Sequence, residues 1–132
     1  IKDKKFNEIK KKFRNKKKFS FNTDKNYMSI YAKSIYMITD ISGTAYTFAF
    51  MTNRPVIFYN YQNEFNFDKN LFFFKDRNKV GKVCYNSKQL IDFVKDNKNF
   101  QKFNSTILKL KQNRLNNLGN VDNYIYNFFK KF

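Results

Sequence analysis

The sequence has no histidine and no tryptophan, and its 132 residues hold one cysteine, one proline and three glycines. Without an imidazole it cannot assemble a Ser-His-Asp triad, a Cys-His pair or a His-ligated zinc site. Any transfer step that needs an imidazole must draw it from outside these residues. Cys84 has no partner for an internal disulfide, which fits a reducing, cytoplasmic setting. So little glycine and proline leaves no material for a flexible linker, and no internal repeat is visible. No apolar run approaches the roughly 18 residues a membrane-spanning helix needs. The first 18 residues are charged throughout, unlike a signal peptide. Acidic residues are scarce too: 10 Asp and Glu stand against 27 Lys and Arg, a net charge of +17.

What is present can build a core, since 42% of residues are hydrophobic and 20% aromatic. The expectation is one domain, or a fragment of a longer enzyme, spanning 1–132. Lys, Asn, Ile, Phe and Tyr dominate together, as AT-rich coding favours, so base composition alone explains much of the charge. A charge of this size also attracts phosphates at long range, whether on a membrane surface or a nucleic acid. Residues 1–18 carry ten basic and two acidic residues, with Ile1, Phe6, Ile9 and Phe13 at near-helical spacing. They read as a basic amphipathic helix, docked by its apolar stripe or touching an anionic surface.

Beyond it, Phe19–Asn22 alternates as a short strand does, and a short helix follows over 26–34. The run Ile35-Tyr36-Met37-Ile38 is continuously apolar, the mark of a strand covered on both faces. A loop over 39–43 leads to an apolar helix over Thr44–Thr52. Asn53-Arg54-Pro55 ends that helix, and Val56–Tyr59 forms the next buried strand. Residues 60–79 look irregular, with Phe72–Phe74 as a strand or an apolar plug. Val80–Tyr85 is a short segment with Gly81 at a turn. Asn86 or Ser87 caps a helix over 88–96, a longer helix covers 100–116, and Val121–Lys131 forms a last one. The fold class is therefore α/β: a short, mainly parallel sheet flanked by helices, Rossmann-like in its strand-turn-helix-strand unit.

That unit is where chemistry concentrates. A buried strand delivers Ser42, Gly43 and Thr44 to the first turn of a helix, where backbone N–H groups and about half a unit of positive charge face an anion. Gly43 would let phosphates approach the backbone closely. Ordinary helix capping is the competing explanation. Asp40 either holds the loop's shape or meets a substrate hydroxyl. Arg54 and Arg77 are two of only four arginines, each able to grip a phosphate with two hydrogen bonds. Arg54 could equally bind Asp40 or a helix C-terminus. Arg77 lies where a loop could close over a ligand. Glu64 follows the C-terminal edge of the Val56–Tyr59 strand, where open α/β sheets bind ligands, and is either a donor contact or a surface carboxylate. Tyr59, Tyr61, Phe65 and Phe67 are candidates for stacking on a base.

The block Ser34-Ile35-Tyr36-Met37-Ile38-Thr39-Asp40-Ile41-Ser42-Gly43-Thr44-Ala45-Tyr46, then Arg54-Pro55-Val56-Ile57-Phe58-Tyr59, Asp76-Arg77 and Gly81, resembles a known family. It is similar to the C-terminal half of GT-B transferases, nearest to the CDP-glycerol glycerophosphotransferases of teichoic-acid and capsule synthesis. The resemblance implies that the small residues after Thr39-Asp40 line the phosphates of a nucleotide-linked donor such as CDP-glycerol. The donor-binding set is then Thr39, Asp40, Ser42, Gly43, Thr44, Arg54, Glu64 and Arg77, with no metal and no resident cofactor. The implied partners are that donor, an anionic surface polymer or lipid-linked acceptor, the missing N-terminal half of the enzyme, and an anionic membrane met peripherally at its inner face. Thr47 and Phe48 stand where relatives commonly carry an acidic residue, and their catalytic histidines have no counterpart. The chain thus reads as a part that holds the donor without completing the transfer. The alternative is a basic nucleic-acid-binding module without catalysis, the less favoured of the two.

Overall fold

The computed structural model describes residues 2–23, 26–61, 71–96 and 98–115, with the single residues 127 and 130. In chain order the elements are α1 (Lys2–Phe13), α2 (Met28–Lys33), β1 (Met37–Thr39), α3 (Thr44–Thr52), β2 (Val56–Tyr59), α4 (Phe72–Lys75), α5 (Arg77–Val80), β3 (Gly81–Cys84), α6 (Ser87–Lys95) and α7 (Lys98–Arg114). The three strands form one parallel sheet in the order β1-β2-β3. This is the α/β architecture, a short parallel sheet with flanking helices, that the alternation of apolar runs and helical periods predicts.

The central strand is the anchor. Val56, Ile57 and Phe58 are all fully buried, and consecutive strand residues point to opposite faces, so β2 is covered on both sides. β1 differs from the expectation of a doubly covered strand over 35–38. It starts later, at Met37, and among the described residues it lies at the sheet edge. Ile35 and Ile38 are 61% and 55% exposed. Met37 and Thr39 are half-buried and Ile38 is exposed, so only one face of β1 is covered. Residues 19–22 form no strand, because Phe19 and Phe21 pack their rings on Phe13 and Phe6 of α1 instead of joining a ladder. Phe72–Phe74 fall in the single helical turn of α4.

α3 carries Ala45, Phe48 and Ala49 into the core against the sheet and α7. The i, i+4, i+7 series Phe103, Ile107, Leu110 buries the inner stripe of α7. α7 begins two residues before the expected start, where the Asp96 carboxylate accepts the Lys98 N–H at 3.0 Å. Asn86 caps α6 as anticipated, accepting from Gln89 N at 3.0 Å. The helix expected over Val121–Lys131 lies outside the described residues.

Gly81 does not turn the chain. It opens β3 in extended backbone, paired with Val56. A Cβ placed there would sit 1.7 Å from the Val56 carbonyl oxygen and 2.6 Å from its carbon. Only glycine allows β2 and β3 to close. Gly81→Ala is expected to destabilise the protein by about 3 kcal/mol or to prevent folding, through overpacking against backbone that cannot give. Chemical denaturation of the two proteins checks this.

Candidate functional site

β1 ends at Thr39, half-buried, and the chain turns through Asp40, Ile41, Ser42 and Gly43 into α3. The exposed Asp40 carboxylate accepts the Ile41 N–H at 2.6 Å and so shapes its own loop. Ser42 Oγ lies 2.8 Å from Thr44 Oγ1 and 3.4 Å from the Thr44 amide, a local cap. Backbone bonds of the first turn are donated by Ala45 to Ser42 O and by Tyr46 to Gly43 O. Among the described residues, none is donated by the Ser42 or Gly43 amides. Gly43 has ordinary helical dihedrals, and nothing lies within 4 Å of where its Cβ would stand. The positive end of α3 therefore opens to space at the C-terminal edge of the sheet, where a parallel architecture places its ligands.

The far end of the same helix is tied to α7. Asn53 adopts a left-handed cap (φ 54°) and donates to Ala49 O. Asn104 of α7 donates to Asn53 O at 3.2 Å, and the Lys111 ammonium to Phe50 O at 2.8 Å. A cation there complements the helix's negative end.

Two adjacent buried charges brace the turn. Arg77 is 4% exposed. Its Nη2 donates to the Asp40 carbonyl at 3.2 Å, and its guanidinium sits 4.7, 5.3 and 4.6 Å from the ring centres of Phe58, Phe73 and Phe74. Burial lowers its pKa from the usual arginine range. Asp76, 1% exposed, accepts two bonds on Oδ2 from Arg114 (Nη2 at 2.6 Å, Nε at 3.1 Å) and one on Oδ1 from Lys79 at 2.8 Å. Burial alone would raise the Asp76 carboxyl, but these cations outweigh it and hold the group below its ordinary value. Beside them a cavity of about 240 Å3 is lined by Gly43, Tyr46, Phe50, Phe73, Asp76 and Arg114. The Tyr46 hydroxyl donates to Phe73 O at 2.6 Å. Burial, with the Asp76 charge added, raises its pKa so that it stays protonated.

The structure thus gathers Thr39, Asp40, Ser42, Gly43 and Thr44 in one turn and sets Arg77 behind it, not above it as a closing loop. Arg54 stands apart. It precedes Val56, which pairs with Met37, so it lies at the opposite, N-terminal edge of the sheet. Its Nη1 donates to Ala32 O at 3.0 Å and Ser34 O at 2.6 Å, tying down the end of α2. Glu64, with Phe65 and Phe67, lies outside the described residues. Tyr59 ends β2 and the half-exposed Tyr61 follows it, at the same sheet edge as the turn, their ring centres 6.1 Å apart. Sequence reasoning did not identify Asp76, Arg114 or the Tyr46 cavity as neighbours of the turn. One usable signal existed, since Asp76 closely follows the apolar run Leu71–Phe74. No group of three or more metal-ligating side chains occurs among the described residues.

Residues 4–130 match the family model described as CDP-glycerol:poly(glycerophosphate) glycerophosphotransferase, and the chain belongs to that family. No curated protein and no solved structure matches it.

Because the Asp76 pKa is depressed on folding, its stabilisation is complete above the unfolded value of 3.8 and is lost as pH falls through the lower folded value. Asp76→Asn is expected to cost about 1–2 kcal/mol at neutral pH, discounted because Arg114 and Lys79 remain in contact with water. Thermal melts across pH check this. The wild type and the variant should converge at acid pH.

Proposed function

We propose that, as a member of this family, the chain holds a nucleotide-linked glycerol-phosphate donor by its phosphates at the turn after β1. It would form the C-terminal, donor-binding part of a GT-B transferase that elongates a teichoic-acid or capsule-type polymer. The observation that carries this reading is the open positive end of α3. There the Ser42 and Gly43 amides donate no backbone bond among the described residues and a side chain added at Gly43 would meet nothing within 4 Å, while the other end of the helix is held by α7. A diphosphate seated there accepts backbone N–H bonds that need no rearrangement as charge develops.

In the reaction, a hydroxyl oxygen of the acceptor polymer forms a bond to the glycerol-bearing phosphorus. The bond from that phosphorus to the nucleoside monophosphate breaks, and the leaving phosphate takes the electron pair. The amides of the turn stabilise that charge, with the Ser42 and Thr44 hydroxyls as further donors. The acceptor proton passes to a base outside these residues, since the chain has no histidine. Among the described residues no helix is long and apolar enough to cross a membrane. Contact with an anionic membrane, where lipid-linked acceptors reside, would be peripheral and at its inner face.

Titration calorimetry with CDP-glycerol tests the proposal. Gly43→Val leaves the fold intact, because its side chain enters open space, yet it blocks the approach of the diphosphate. Its affinity should fall at least tenfold, about 1.4 kcal/mol. Ser42→Ala should weaken binding less. Unchanged affinity in a folded Gly43→Val protein would contradict the assignment.

A further inference from the structure

We propose that the groove between α1 and residues 19–21 holds the phosphodiester backbone of the anionic acceptor polymer, here a poly(glycerol phosphate) chain. This rests on the transferase reading above and adds the place where the growing chain is gripped, on a different part of the molecule from the donor turn.

The groove measures about 570 Å3, and its polar lining is Asn7, Lys10, Lys11, Arg14 and Ser20, with no carboxylate. Its apolar wall is a cluster of aromatic rings, one pair stacked and the others edge-on. Phe13 lies 4.7 Å from Phe19, Phe19 is 4.9 Å from Phe21, and Phe21 is 5.5 Å from Phe6. The chain reverses tightly beneath it, with Lys16 N bonded to Phe13 O and Phe19 N to Lys16 O. The cations therefore project from a braced frame and not from a loose tail. Lys10, Lys11 and Arg14 are exposed, and among the described residues none of them makes an ion pair. Lys10 and Lys11 lie in the last turn of α1 and Arg14 follows directly after its end, so the three cations gather along one groove, where they can meet successive phosphates of a short-repeat chain. Arginine adds a two-pronged phosphate contact, and Asn7 and Ser20 add neutral donors.

The same geometry disfavours the other anionic partners. A helix lying in a bilayer surface needs a broad free apolar face. The rings of α1 pack on Phe19 and Phe21, and the exposed apolar surface of this corner is a narrow strip of Phe6, Ile9 and Phe19, each about half covered. Single-stranded nucleic acid is held by stacking bases on open aromatic faces, whereas each of these rings packs on another and keeps no more than about half of its surface exposed. A polymer of glycerol phosphates carries charge without bases and needs only cations and donors.

Fluorescence anisotropy of a labelled poly(glycerol phosphate) oligomer with the 132-residue chain, at several salt concentrations, tests this. The triple variant Lys10→Gln, Lys11→Gln, Arg14→Gln should weaken binding about tenfold or more and reduce the salt slope by about 2, as for the loss of three phosphate contacts. Lys10→Arg with Lys11→Arg should retain affinity. A control of equal charge loss on α6 and α7 (Lys88→Gln, Lys95→Gln, Lys109→Gln) should change affinity by less than about threefold. Circular dichroism verifies that each variant is folded. Any of four results overturns the proposal: no polymer binding by the wild type, equal weakening by both triple variants, tighter binding of single-stranded DNA with the same number of phosphates, or preference for phosphatidylglycerol vesicles over the polymer. No nucleotide is present in the measurement, so its failure is separate from failure of the donor titration.

Discussion

Two consecutive buried charges of opposite sign, Asp76 and Arg77, hold the parts of the molecule that matter in one place. Arg77 points to the sheet, filling the space among Phe58, Phe73 and Phe74 and reaching the Asp40 carbonyl. Asp76 faces the other way and takes Arg114 from the end of α7. A buried charge left without its partner costs several kcal/mol, so each interaction makes the other elements' positions obligatory. The site loop, the central strand and the longest helix are registered against one another through two residues of the short segment before β3. Gly81 completes the arrangement by letting β3 approach β2 closely enough for that segment to reach the loop.

The consequence for function lies in the asymmetry of α3. Lys111, Asn104 and the left-handed Asn53 bond carbonyls at its C-terminal end, while among the described residues the Ser42 and Gly43 amides at its start donate no backbone bond. A helix end that needs a partner is usually given one by the protein itself. Here the neighbouring hydroxyls of Ser42 and Thr44 turn mainly to each other. The cavity behind Gly43 is lined by aromatic rings and flanked by Asp76 and Arg114, so the turn is backed by a preformed apolar recess. Fixed donors against a low-dielectric wall are the setting in which phosphate contacts are strongest.

Much of this was legible in the residues. The apolar run Val56–Phe58 gave the buried central strand, the Ser42-Gly43-Thr44 block gave the strand-to-helix turn, and the spacing of Phe103, Ile107 and Leu110 gave the inner face of α7. The rest depended on neighbours far apart in the chain. Ile35–Ile38 is as apolar as Val56–Phe58, and composition does not reveal that β1 lies at the edge. Phe19–Asn22 alternates like a strand, but pairing needs a ladder partner, and the rings of α1 compete for Phe19 and Phe21. Gly81 looks like a turn residue because a close contact with Val56 leaves no local trace. Arg54 and Arg77 are indistinguishable as isolated arginines. One ends up tying α2 at the far edge of the sheet, the other beneath the turn, and only the parallel register separates them.

The beginning of α3 is the proposed place where a donor's phosphates dock. Amide chemical-shift mapping of the isotope-labelled chain during addition of CDP-glycerol observes that place directly. The largest shifts should fall on Ser42, Gly43, Thr44 and Ala45, with smaller ones at Asp40 and none at Arg54. Shifts confined to α1, or centred on the opposite edge of the sheet around Arg54, would contradict it.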